Sequence, residues 1–232
     1  MPSAGGRGRW STRLAATSRR ALSTNALALA GSGRRRVLVS AIEHDSVRRA
    51  MPQAEILPVG SDGVIDLAAL ERALAASPEP ALVSVMAANN ETGVIQPVAE
   101  VVRLAHAAGA LVHCDAVQAA GKIAVDFHGL GVDYLSLAAH KLGGPTGVGA
   151  LVLHAVAPLA TDRRGGAQET NRRAGTENLS GIAGFGAAAA EAGQGLSPEL
   201  RDRTEAALRA LAPAARLHGA AAPRLPNTTC LS

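Results

Sequence analysis

The chain has few cysteine, lysine and aromatic side chains. Its 232 residues include two cysteines, two lysines, one Trp, one Tyr and two Phe. Cys114 and Cys230 make neither a disulfide framework nor a zinc-ligand spacing, which points to a reducing compartment and to no metal. So few aromatics leave no stacking platform for single-stranded nucleic acid. No apolar run reaches the roughly 18 residues a membrane span needs. Acidic residues are absent from residues 1–36, which carry eight Arg, while the rest of the chain holds 15 basic against 19 acidic residues. The formal charge of +4 therefore belongs to the leader. An acidic body lacks the clustered basic surface that nucleic acid requires, so neither nucleic acid nor membrane is expected as a partner.

What is present is a chain that is 47% hydrophobic, enough to bury a core. Residues 1–24 read as a basic, disordered leader. Rich in Arg and Ser and free of acids, it has the composition of a mitochondrial transit peptide. With 21 Arg in the chain, arginine excess is also a general bias, and a mis-started terminus reads the same way. The expected location is cytoplasmic, with mitochondrial as the alternative.

From Arg36 onward, β-branched runs alternate with Ala- and Leu-rich helical patterns. Strands are predicted over 36–40, 81–86, 110–114, 133–137 and 148–154, and helices over 66–76, 97–108, 178–192 and 198–211. Stretches 193–197 and 219–226 read as linkers. Runs such as ALVSVMA lack polar alternation, as strands covered on both faces do. The fold class is α/β, three layers with a mostly parallel sheet, on which ligands bind where strands end.

One string carries chemistry by itself: Ser136-Leu-Ala-Ala-His140-Lys141-Leu-Gly143-Gly144-Pro145, directly after a predicted strand. A lysine at a strand end before a Gly-Gly-Pro turn is fixed by the scaffold yet open to a small molecule, as a Schiff-base lysine must be. A surface lysine fits the local sequence equally well. Upstream stands Val112-His113-Cys114-Asp115-Ala116-Val117-Gln118. Pyridoxal phosphate acts as an electron sink while its pyridine nitrogen stays protonated, and a carboxylate beside that nitrogen keeps it so. Asp115 at the end of a strand could supply that charge, or could cap a helix.

These strings resemble the cysteine desulfurases, in the class V aminotransferase group of fold-type I pyridoxal phosphate enzymes. The resemblance runs in order through Ile42-Glu43-His44-Asp45-Ser46-Val47, Asn89-Asn90-Glu91-Thr92-Gly93-Val94-Ile95-Gln96, His113 to Gln118, and His140-Lys141 with its Gly-Gly-Pro. Arg172-Arg173-Ala174-Gly175-Thr176-Glu177-Asn178 is typical of the branch that feeds iron-sulfur cluster assembly. The resemblance implies that Lys141 carries the cofactor as a Schiff base and moves protons at the substrate α-carbon. It implies that His44 stacks on the ring and acts as acid or base, that Asn90 and Gln118 bond the ring hydroxyl, and that Asp115 pairs with the pyridinium nitrogen. His140 would reach the phosphate, and Thr176 the phosphate of a partner subunit in a homodimer. The other histidines show no pairing in the sequence.

The same resemblance implies a large cofactor domain, partial, over 25–218, and the start of a truncated small domain over 219–232. The family's phosphate-binding Gly-Thr-Glu-Ala-Asn string corresponds to Ala21-Leu22-Ser23-Thr24-Asn25, and its phosphate-binding serine to Ala138. Its nucleophilic cysteine loop has no counterpart here. The expected function is conversion of L-cysteine to L-alanine, with sulfur passed to an acceptor or iron-sulfur scaffold protein. The chain is expected to be a fragment and inactive alone. The alternatives are another class V aminotransferase, a selenocysteine lyase, or a non-catalytic remnant.

Overall fold

A computed structural model describes residues 24–160, 165–193 and 196–232. Most of the basic leader thus lies outside the described residues. Six strands make one sheet: β1 (Arg36–Ser40), β2 (Glu55–Leu57), β3 (Ala81–Met86), β4 (Leu111–Asp115), β5 (Tyr134–Ala138) and β6 (Gly149–Leu153). Their order is β2-β1-β3-β4-β5-β6. All neighbours run parallel except the last pair, where β6 returns antiparallel to β5. β1 and β3 are buried along their whole length. That burial is why they read as continuous apolar runs, the signature of strands covered on both faces.

The helices are α1 (Thr24–Gly31), α2 (Asp45–Arg48), α3 (Leu67–Ala75), α4 (Val98–Ala107), α5 (Phe127–Leu130), the single turn α6 (Gln168–Asn171), α7 (Leu179–Glu191) and α8 (Pro198–Leu211). Leu27, Ala28 and Leu29 of α1 and Val47 of α2 pack with Val37, Val39, Leu82, Tyr134 and Leu151 on one face of the sheet. Residues of α3, α4 and α5 cover the other face, against Leu38, Val83, Val85, Val112 and Leu135. Phe185 of α7 extends that layer over Ala139, Val148 and Ala150. Three layers result, as the apolar strand pattern requires.

Caps follow the sequence: Asp66 accepts from the Ala69 amide, Asn178 from Gly181 and Ser197 from Glu199. Each satisfies an N-terminal amide that the helix itself cannot.

The stretch 219–226, whose composition reads as a linker, is packed. Leu225 is fully buried in the main core. Its amide donates to the Gly93 carbonyl, and the Ile95 amide donates to the Pro223 carbonyl. Arg224 donates to both carboxylate oxygens of Glu205 on α8. One apolar residue and one ion pair hold a segment whose Gly, Ala and Pro content alone suits a linker.

Candidate active site at the carboxyl edge of the sheet

The parallel order β1-β3-β4-β5 brings the segments that follow these four strands to one edge. After β1 come Glu43 and His44; after β3, Asn89 and Asn90. Asp115 is the last residue of β4, with Gln118 in the turn beyond it. His140 and Lys141 lie in a single 3-10 turn directly after β5. Six of the seven expected site residues therefore converge on this edge. Thr176 is exposed in the loop between α6 and α7, and no strand carries it there.

Asp115 is 6% exposed. Its Oδ1 accepts from the Val117 amide at 3.0 Å and its Oδ2 from Asn25 Nδ2 at 2.6 Å. Burial pushes its pKa up, while these two donors and the nearby His44 pull it back. No helix begins directly after β4, so Asp115 closes the strand and its side chain holds the turn at Val117 in place of a helix N-terminus. Asn25, at the start of α1, is itself buried and spends both amide hydrogens, one on Asp115 and one on Ser46 Oγ at 2.9 Å. Its Oδ1 is buried without a partner.

His44 is exposed and caps α2: Nδ1 accepts from the Ser46 amide at 3.1 Å and lies 2.9 Å from Ser46 Oγ. An Nδ1 that accepts leaves the proton of the neutral ring on Nε2. Ser46 joins Asn25 to His44, so a continuous chain of hydrogen bonds leads from Asp115 to the imidazole.

Gln118 Oε1 accepts from Lys122 Nζ at 2.6 Å, which leaves its amide hydrogens free to donate. Lys122 has its pKa lowered, first by burial and then by the charge of Lys141, so the chain's two lysines flank the same space. Asn90 is half-buried and donates to Glu91 at 2.7 Å. Asn89 builds the loop: its Oδ1 accepts from the amides of Glu91 and Thr92, and its Nδ2 donates to the Ile42 carbonyl. Two adjacent asparagines thus differ in what they hold.

The pattern of the sequence misses Glu43. Its side chain is 4% exposed; Oε1 accepts from the Met86 amide at 2.6 Å, and Oε2 is buried without a partner. A glutamate in a polar string gives no sign of burial. His113, which shows no pairing in the sequence and reads as a structural or surface residue, is structural and bridges the sheet: Nδ1 lies 2.8 Å from Ser84 Oγ and Nε2 2.9 Å from Ser136 Oγ. Burial lowers its pKa to about 3, so it is neutral. Among the described residues no group of His, Cys, Asp and Glu could hold a metal ion, and no helix is long and apolar enough to cross a membrane.

The donor set suits the ring implied by the resemblance. A carboxylate has about four acceptor positions; Asp115 uses two and has capacity left for a protonated ring nitrogen. The Gln118 amide has hydrogens for a ring oxygen, and Lys141 supplies an amine after the strand next to Asp115. At the phosphate end the described residues offer His140, since Ala138 has no hydroxyl and Asn25 has both amide hydrogens engaged.

The chain is 46% identical over 214 residues to the cysteine desulfurase of Cereibacter sphaeroides, covering 88% of this chain and 55% of that protein. It is 41% identical over 208 residues to the cysteine desulfurase NifS of Azotobacter vinelandii, covering 84% and 51%. The chain spans about half the length of the curated relatives it matches. Among solved structures, a NifS-like protein from Rickettsia africae superposes with a TM-score of 0.83 at 33% identity, over 90% of this chain and 60% of that one. DndA from Streptomyces lividans gives 0.79 at 32%, over 91% and 65%. The family model for aminotransferase class-V matches residues 14–215, and the chain belongs to that family of pyridoxal phosphate-dependent enzymes.

Proposed function

We propose that this chain is the cofactor-binding part of a cysteine desulfurase, the reaction being L-cysteine plus an acceptor thiol to L-alanine plus a persulfide. The observation that carries the proposal is the pairing of a buried carboxylate at the end of β4 with a lysine just beyond the end of β5. That geometry suits an electron-withdrawing ring held at one end by charge and at the other by an amine. The relatives' names supply the substrate.

When bound, pyridoxal phosphate withdraws electrons from the substrate α-carbon, which makes its proton acidic and its β-sulfur transferable. The chain's own residues do the rest. Asp115 holds the ring nitrogen protonated. Gln118 and Asn90 bond the ring oxygen. His44 would lie against the ring and present Nε2 as an acid or base. Lys141 anchors the cofactor and moves the proton at the α-carbon. His140 binds the phosphate, and Thr176 reaches a second site across a homodimer.

Cys114 does not suit the role of sulfur acceptor, and the resemblance gives that role to neither cysteine of the chain. Cys114 is fully buried in the core on the face away from Asp115, and burial first, with the charge of Asp115 second, pushes its thiol pKa well up. A nucleophile needs a thiolate. Cys230 lies in the C-terminal tail, where its carbonyl accepts from the His218 amide. In the cysteine desulfurase reading, the first acceptor is the thiol of the family's nucleophilic cysteine loop, which has no counterpart among these residues, and the sulfur then passes to an acceptor or iron-sulfur scaffold protein. Both thiols are free, in keeping with a reducing, cytoplasmic setting.

Mixing the purified chain with pyridoxal phosphate tests the proposal. A near-visible absorption band that is lost in Lys141→Ala is expected, and its absence in the parent chain would overturn the reading. Alanine formed from L-cysteine by this chain unaided would overturn the expectation that it is inactive alone.

A further inference from the structure

The two carboxyl groups at the sheet edge are unequally served. Asp115 has one donor on each oxygen, from Val117 and Asn25. Glu43 has a single donor, the Met86 amide on Oε1, while Oε2 is buried and bare. Met86 is the residue paired with Asp115 across β3 and β4, so the Glu43 carboxyl is held one strand away from Asp115. A carboxylate oxygen buried without a donor is costly to keep ionised. Two carboxyls in one dry site share a proton, since both charges cannot be kept. The donors decide which group keeps the charge, and Asp115 has more of them.

The neighbours around Glu43 agree. From β4 the charge of Asp115 reaches it, and from β3 the Met86 amide bonds it. His44, next in its own loop, turns to cap α2. Burial first and Asp115 second raise the Glu43 pKa well above the usual carboxylate range.

We infer that Glu43 is a neutral carboxylic acid that confines the single negative charge of this edge to Asp115. It is a positioning residue: it touches no reacting atom and acts through Asp115, keeping that group the one anion available to a ring nitrogen. An ionised Glu43 would drive the proton onto Asp115 and remove the charge the ring needs. This consequence rests on the proposed cofactor; the protonation state of Glu43 belongs to the chain alone.

The test uses the full chain without cofactor, labelled with carbon-13 at the glutamate carboxyls. The Glu43 resonance, assigned by its loss in Glu43→Gln, is expected to stay at the protonated position at neutral pH. Exposed glutamates titrate near about 4.3. A Glu43 resonance that titrates with them overturns the inference.

Glu43→Gln keeps an acceptor for the Met86 amide and mimics the neutral acid. Its affinity for pyridoxal phosphate should stay within about twofold of the parent, whereas Glu43→Ala, which leaves the amide without an acceptor, should weaken it. A tenfold or larger loss in Glu43→Gln also overturns the inference. If no form of the chain binds cofactor, the cofactor reading fails and the resonance alone decides the state of Glu43.

Discussion

Asn25 is the residue on which the edge depends most. It spends both amide hydrogens on Asp115 and Ser46, and so fixes the carboxylate and the imidazole beyond it together. Removing a hydrogen bond to a charged, buried group costs about 1.5–3 kcal/mol. Asn25→Ala should lower unfolding stability by that amount in urea titrations and raise the Asp115 pKa further, because burial then acts against one donor fewer.

His113 gives a prediction of opposite character. Burial takes its folded pKa to about 3, below the ordinary imidazole value of about 6.5. As pH falls from about 6.5 towards 3, the unfolded chain takes up this proton and the folded chain does not. The stability it contributes is thus complete above about 6.5 and drains away below. The difference in unfolding free energy between the parent and His113→Gln, which cannot titrate, should shift against the parent at about pH 4.5 relative to pH 7. A difference that stays constant would mean that His113 is charged in the fold.

Some of these residues are legible in the sequence and some are not. Asp115 and Lys141 stand at the ends of strong apolar runs, where an acid and a lysine are conspicuous. Glu43 and Asn25 are not conspicuous, because a buried polar side chain is identified by what it bonds across 43 and 90 residues of chain. Nothing local reports such a partner.

At the scale of elements, agreement follows apolar content. The bounds expected for β1, β3 and α8 are those observed, each having either a continuous β-branched core or a Ser cap with Pro in its first turn. β2 escapes notice: it has three residues, two of them exposed, and only pairing with β1 makes it a strand. α2 is a single turn held by the His44 cap.

The C-terminal tail is the largest departure, and its packing can be tested. The Glu205–Arg224 pair is about nine-tenths buried on both sides. Removing one partner leaves an uncompensated buried charge, so Arg224→Ala should cost about 3–5 kcal/mol. Gly93 has φ +74, and a Cβ there would meet Thr228 Cβ at 2.8 Å. Gly93→Ala should therefore destabilise by more than about 1 kcal/mol and loosen the tail, visible as faster amide exchange at Leu225.

For the molecule as a whole, a ligand that binds only the folded state stabilises it by mass action. Pyridoxal phosphate at 100 times its Kd should raise the unfolding free energy by about 2.7 kcal/mol. Lys141→Ala should lose most of that gain while keeping the stability of the unliganded chain, because Lys141 is exposed and makes no core contact. A parent chain whose melting temperature ignores the cofactor would contradict the proposed site.

The sequence by itself determined the α/β class, the parallel core strands and most residues of the edge, because each is written in a local pattern: strand-length apolar runs, caps, and polar residues placed just past strand ends. The tertiary structure alone decided the strand order that brings four of those ends together, the burial of Glu43, the two hydrogen bonds that Asn25 donates to Asp115 and Ser46, and the docking of 219–226. The physical reason is range. A hydrophobic period is set by neighbours along the chain, whereas the protonation of a carboxyl and the packing of a Gly-, Ala- and Pro-rich tail are set by groups that only folding brings within bonding distance.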